Sequence, residues 1–135
     1  MNHYYIGQSA SMAKTLSEND VYLFAGITGD FNPAHVNAEY AKHSLFKKRV
    51  AHGILSSGLI SAVIGTKLPG PGTIYMGQTL EFRAPVYIGD TVTAKVSIKE
   101  IDEEKGRATL ITECVNQDDK TVITGEAKVL LPAEA

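Results

Sequence analysis

In the stretch GDFNPAH, residues 29–35, an acid and a histidine stand five positions apart with a proline between them. A carboxylate and an imidazole together are the usual pair for moving protons near neutral pH. Pro33 removes a backbone donor and disfavours helical geometry at the residue before it, so the stretch cannot be the middle of a helix. Asp, Asn, Pro and Gly are also the ordinary residues of turns. The motif is therefore either a plain structural turn or a device that turns Asp30 and His35 toward one substrate. Its place between two helical patterns, ahead of a strongly apolar helix, is where a loop can reach into a cleft.

A second candidate lies at AHGIL, where that apolar helix begins. The first N–H groups of a helix lack internal partners and carry partial positive charge. Gly53 has no side chain to hold a ligand away from them, so an oxyanion could bind there. The bland alternative is that Gly53 only lets the chain enter the helix. His52 reads as a hydrogen-bonded structural histidine rather than a second base. Gly53, Ser57, Ser61 and Gly65 form a stripe of small residues at four-residue spacing, which allows a ligand to approach or simply packs on a sheet.

Charge marks a third region. Between Glu39 and Glu81 the chain carries no Asp or Glu, but it carries Lys42, Lys47, Lys48, Arg49 and Lys67. A basic segment in an acidic chain suits a polyanionic ligand, although such runs are also ordinary solvated surface. Asp30, His35, His43 and His52 could in principle meet at a zinc ion, yet their spacings match no standard zinc pattern, and no metal is expected. The single Cys114 sits in the alternating LITECV and reads as a small buried side chain.

The surrounding elements must position these groups. SENDVYLFAGITG opens with a capping-box-like Ser17 and Asp20, continues with Val21, Phe24, Ala25 and Thr28 at helical spacing, and ends at Gly29. Asn32-Pro33 and Asn37 are two further helix starts. From Gly53 to Lys67 the chain is apolar nearly all round, which predicts a buried helix ended by LPGPG. TIYMGQTLEFRAPVYI leads into strands, with Pro85 at an edge or bend. TVTAKVSIKEI alternates strictly, and EEKG and QDDK turn it into RATLITECVN and TVITGEAKVLL. SASMAKTL is another strand candidate. Three short-looped consecutive strands predict an antiparallel meander. A helix without a polar face needs cover, and an antiparallel sheet wrapped around it gives the α+β hot-dog fold; an open α+β sandwich also fits.

With 135 residues, 44% apolar and 21% charged, the chain is expected to be one soluble globular domain spanning 1–135. Net charge is −2, which gives no reason to invoke nucleic acid or a membrane surface. The start has no signal-peptide pattern, and the apolar stretch from Ile54 to Ile64 is too short to span a bilayer. A cytoplasmic location is the expectation, and one cysteine fits a reducing compartment.

The stretch GDFNPAHVNAEYAKHSLFKKRVAHGILSSGLIS resembles the hydratase signature of the MaoC-like hot-dog family, D-x-N-P-x-H followed by a helix opening with H-G. The resemblance is closest to the short (R)-specific enoyl-CoA hydratases and runs through almost the whole chain, including LPGPGTIYMGQTLEFRAPVYIGDTV and ITGEAKVLLP. It implies that Asp30 and His35 are a catalytic dyad acting on one water molecule. It implies that Asn32 shapes the loop, that Gly53 donates its N–H to an oxyanion, and that Ser61 helps orient the dyad. It also implies a lyase that adds water reversibly to trans-2-enoyl-CoA to form (R)-3-hydroxyacyl-CoA, without cofactor, as a homodimer. Lys47, Lys48 and Arg49 are then candidates for the CoA phosphates. A dehydratase acting on acyl carrier protein would use the same dyad. A non-catalytic acyl-CoA-binding module is opposed by the intact Asp30/His35 pair. A hot-dog thioesterase is opposed by a central helix with no carboxylate.

Overall fold

The computed structural model describes residues 3–133. In chain order it contains β1 (Ser9–Thr15), α1 (Glu18–Thr28), α2 (Pro33–Val36), α3 (Ala38–Lys42), α4 (Gly53–Thr66), β2 (Ile74–Gln78), β3 (Glu81–Phe82), β4 (Thr91–Asp102), β5 (Arg107–Val115) and β6 (Thr121–Leu130). The strands form one antiparallel sheet in the order β1-β4-β5-β6-β2, with β3 also paired to β6. The meander β4-β5-β6 is the one its alternation predicts. Val92, Ala94, Val96 and Ile98 of β4 are all buried, on the face that receives the long helix. SASMAKTL forms strand β1, in register with β4 from Ser9↔Ser97 to Thr15↔Thr91.

Helix α4 lies across β1, β4 and β5. Its Ile60, Val63 and Ile64 join Leu110, Cys114, Val122, Ile123, Ala127 and Val129 in one core. A single long apolar helix against one face of an antiparallel sheet is the hot-dog arrangement. One expectation needs correcting. The helix is not buried all round, because Ile54, Gly58, Ser61 and Gly65 are exposed. A single sheet covers only the side that faces it, and the small-residue stripe lies mainly on the other.

Local chemistry explains the short elements. Ser17 and Asp20 make the reciprocal capping box, Asp20 N–H donating to Ser17 at 3.1 Å and Ser17 N–H to Asp20 at 2.9 Å. Gly29 closes α1 in the left-handed region at φ 81°, its N–H donating to the Ala25 carbonyl at 2.8 Å. Gly125 is required for a different reason. A Cβ there would collide with the Thr79 carbonyl where the β2–β3 segment crosses onto β6.

Candidate active site

The turn after α1 is held by its own polar side chains. Asp30 N–H donates to Thr28 Oγ at 3.2 Å, and Asn32 N–H donates to the Asp30 carboxylate at 3.2 Å. Asn32 then caps α2, accepting from Ala34 N–H at 3.0 Å, with Pro33 in the first helical position. This sets His35 half-buried beneath the exposed Asp30. The resemblance gave Asn32 a loop-shaping part, and the cap is the means available for it.

His35 is fixed from a second side. Its Nδ1 lies 2.7 Å from the Val50 carbonyl. A carbonyl only accepts, so Nδ1 carries the proton, and the lone pair is left on Nε2. That tautomer makes the ring a base. Val50 is itself tied down, its N–H donating to the Ala34 carbonyl at 3.2 Å and Ala51 N–H to Val86 at 2.7 Å. His52 is 2% exposed and behaves as the structural histidine expected, its Nε2–H donating to the Asp30 carbonyl at 3.0 Å.

One oxygen of the Asp30 carboxylate and one ring nitrogen each of His35 and His52 lie within 4.8 Å of one another. A water bonded to two groups at about 2.8 Å, with a near-tetrahedral angle, spans about 4.6 Å between them. That limit leaves room for one water bridging acid and base. The same three side chains are the candidate cation cluster among the described residues. Nδ1 of His35 and Nε2 of His52 are already donors to carbonyls, which leaves one free nitrogen on each ring. The exposed His43 caps α3 and is not part of the group.

Helix α4 begins next to this pair. Its first internal bond runs from Leu55 N–H to the His52 carbonyl at 3.1 Å, and the N–H groups of Gly53 and Ile54 have no partner among the described residues. A Cβ at Gly53 would sit 2.6 Å from two carbons of the Phe82 ring, so glycine is needed for that ring to close over the helix start. The residues that carry the free donors and His35 border one cavity of about 510 Å³, and Asp30 stands beside His35 outside its lining. Asn32, His35 and Gly53 line it, with Phe46, Val50, Ile54, Phe82 and Val86 giving it apolar walls. Ser56 lines it too, fully buried, its hydroxyl without a partner, whereas Ser57 bonds back to the Ile54 carbonyl at 2.8 Å. Behind Ser56 lies Cys114, whose thiol is pushed up to about 12 by burial and then by Glu113, so it is no nucleophile.

Asp30, His35, Asn32 and Gly53 are thus brought together. Ser61 is not. It is exposed and lies eight residues beyond Gly53, about 12 Å along the axis at 1.5 Å per residue. It makes no hydrogen bond to the dyad among the described residues, and the cavity is lined only by the first turn of α4. The basic run is divided among different neighbours. Arg49 pairs with Glu18 at 2.7 Å and donates to the Tyr22 hydroxyl at 2.9 Å. Glu18 raises the Arg49 guanidinium, and Arg49 in turn holds the Glu18 carboxyl below its usual range. Lys48 sits over the Tyr87 ring, 4.5 Å from its centroid. The three cations do not form one open cluster, because their backbone turns between them, with Lys47 at φ 69°.

Phe82, Arg83, Val50 and Ser56 escaped the sequence argument. Phe82 ends strand β3 and Arg83 follows it, far along the chain, with no spacing to link them to the motif. Val50 acts through its carbonyl, which every residue type has. For Ser56 the signal was present, a serine one turn inside the helix, but neighbouring serines share it.

A family model for the MaoC like domain matches residues 5–121. The chain is 59% identical over 127 residues to the (R)-specific enoyl-CoA hydratase of Rhodospirillum rubrum, covering 94% of this chain and 88% of that one. It is 48% identical over 127 residues to the 3-hydroxybutyryl-CoA dehydratase of Methylorubrum extorquens, covering 94% and 80%. The solved (R)-hydratase from A. caviae involved in PHA biosynthesis superposes with a TM-score of 0.94 at 39% identity, covering 98% of this chain and all of that one.

Proposed function

The chain belongs to the MaoC-like domain family, and we propose that it is a hydro-lyase that reversibly hydrates trans-2-enoyl-CoA to (R)-3-hydroxyacyl-CoA. The observation that carries this reading is the pairing of an Asp30 carboxylate oxygen and a His35 ring nitrogen within 4.8 Å of each other, beside the free N–H groups at the start of α4. The water is oriented by the Asp30 carboxylate and gives a proton to the Asp30/His35 pair as its oxygen bonds to C3. The C2–C3 π electrons move into the thioester, and the oxygen that becomes anionic is met by Gly53 N–H at the positive end of the helix. The proton returns from the pair to C2, completing the addition with no net change in the protein. The thioester itself makes C3 electrophilic, so the scheme requires no cofactor and no metal.

The apolar cavity walls suit an acyl chain, and the nucleotide of CoA extends toward solvent. Lys47 is the member of the basic run left open to meet a phosphate. The working unit in this reading is one domain, 1–135, acting as a homodimer. The exposed side of α4 and the exposed Ile74, Tyr75 and Met76 of β2 support such a partner face. No helix among the described residues is long and apolar enough to cross a membrane.

Loss of the enoyl-thioester absorbance of crotonyl-CoA on adding the protein is the direct test, with chiral analysis of the product. Absence of hydration, or a mainly (S) product, overturns the reading. The same acyl group on acyl carrier protein, assayed in parallel, decides the carrier; faster turnover there would make the enzyme an acyl-carrier-protein dehydratase.

A further inference from the structure

His52 makes no contact with the bulk of the cavity, yet it touches both members of the dyad. Its Nε2–H donates to the Asp30 carbonyl at 3.0 Å. Its ring is stacked on His35, with centroids 3.8 Å apart and planes 30° apart. On another side the Phe24 ring packs against it at 4.8 Å and 59°. It is also the cap residue of α4, covalently next to the Gly53 donor. It does not cap that helix with its side chain, so its ring has been given to the dyad instead. Its other nitrogen, Nδ1, is buried and unpartnered. A histidine placed only for stability would be expected to satisfy both nitrogens. This one leaves Nδ1 orphaned while keeping the bond to Asp30 and the face against His35.

We propose that His52 is a positioning residue that sets the acid, the base and the oxyanion donor at fixed separations. The inference rests on the hydration reading above. One rigid ring holds the backbone of the acid by a hydrogen bond and the plane of the base by stacking. Its own backbone leads directly into the oxyanion donor. The acid and the base come from one turn and the helix start from a segment some twenty residues on, and His52 joins the two. A displacement of about 1 Å among such groups costs about 10²-fold in rate.

Two amides separate this role from a general contribution to stability. A glutamine side chain carries its amide nitrogen close to where Nε2 stands, and an asparagine carries its nitrogen close to Nδ1. Both are smaller and more polar than the aromatic ring, and both sacrifice the stack. His52→Gln can therefore keep the bond to the Asp30 carbonyl, and His52→Asn cannot. With crotonyl-CoA and rates normalised to folded protein, His52→Ala and His52→Asn should lower kcat by about 10²-fold. His52→Gln should recover at least about tenfold of that loss, and KM should stay within about threefold of wild type in all three. That split is expected because the change is in alignment and not in the binding of CoA.

If His52→Asn keeps kcat within about threefold of wild type, or if Gln is no better than Asn, the positioning role is wrong. The role is also wrong if the loss falls mainly on KM. Wild-type turnover on the same substrate tests the hydration reading separately, and the Gln-to-Asn ratio tests His52. Should His52→Ala fail to fold, the Gln and Asn pair alone decides.

Discussion

The turn at residues 29–36 and the basic run at residues 47–49 are both polar, and both lie close to the same cavity. In the turn, almost every polar group closes a bond that shapes the backbone: Thr28 to Asp30, Asp30 to Asn32, Asn32 to Ala34. Asp30 and His35 then converge because the chain between them has little freedom left. In the basic run, each long side chain goes to a different neighbour, Arg49 to Glu18 and Tyr22, Lys48 to Tyr87. Short side chains that bond to the nearby backbone carry their geometry in the local sequence. Long flexible cations take their direction from whatever folds up beside them.

The sharpest way to break this comparison is to remove the dyad. Asp30→Asn keeps the shape and loses the charge, while His35→Ala loses the base; each should lower turnover of crotonyl-CoA by at least about 10²-fold. Both variants should stay folded, and the double variant should be scarcely worse than the worse single one. Near-normal turnover in either would mean that the turn is only a turn.

A smaller effect is expected at the helix start. The Cβ of Gly53→Ala meets the Phe82 ring at 2.6 Å, so the ring must swing. The fold should lose about 1 kcal/mol, in the range for overpacking a tight contact. The rate should fall roughly tenfold or more as the donor is displaced. Combining it with Phe82→Leu should return part of the melting temperature; if the single variant melts and turns over as wild type, the close approach has no role.

Smaller again is the effect on KM at the basic run. Lys47→Ala alone should raise KM for enoyl-CoA modestly and weaken its dependence on ionic strength, because exposed contacts to phosphate are weak and screened. Adding Lys48→Ala and Arg49→Ala should change that salt response little further. A triple variant far more salt-insensitive than Lys47→Ala would show that the three act as one cluster after all, and would break the contrast with the turn.

The least effect concerns Arg49 and Glu18. Arg49 holds the Glu18 carboxyl below its ordinary value of 4.5. A carboxyl depressed in the folded state stabilises it above that ordinary, unfolded value, and loses that contribution as pH falls through the lower folded value. The melting-temperature gap between wild type and Arg49→Ala should therefore be small near pH 6 and close as pH falls below about 4. A gap that persists at pH 3 would assign the loss to packing on Tyr22 instead.

Much of this molecule was written locally. The capping box at Ser17, the stop at Gly29, the caps at Asn32 and Asn37, and the alternation of Val92, Ala94, Val96 and Ile98 depend on neighbours within a few residues. They could be read without knowing the fold. The turn holding Asp30 and His35 belongs with them, which is why the acid and histidine pair was visible in seven letters. Gly53 was legible as a helix-start glycine, and the family pattern added the oxyanion role to it. What only the tertiary structure decided depends on groups brought together from afar. The Val50 carbonyl chooses the tautomer of His35, and the Phe82 ring lies where a side chain at 53 would meet it. The ring of His52 turns toward the dyad instead of capping its own helix. Ser61 stays outside the cavity because only the first turn of α4 reaches it. The physical division is one of range: a hydrogen bond to the next turn of chain is encoded beside the residue that makes it, whereas a side chain's packing direction and the bond of a distant carbonyl exist only once the core has closed.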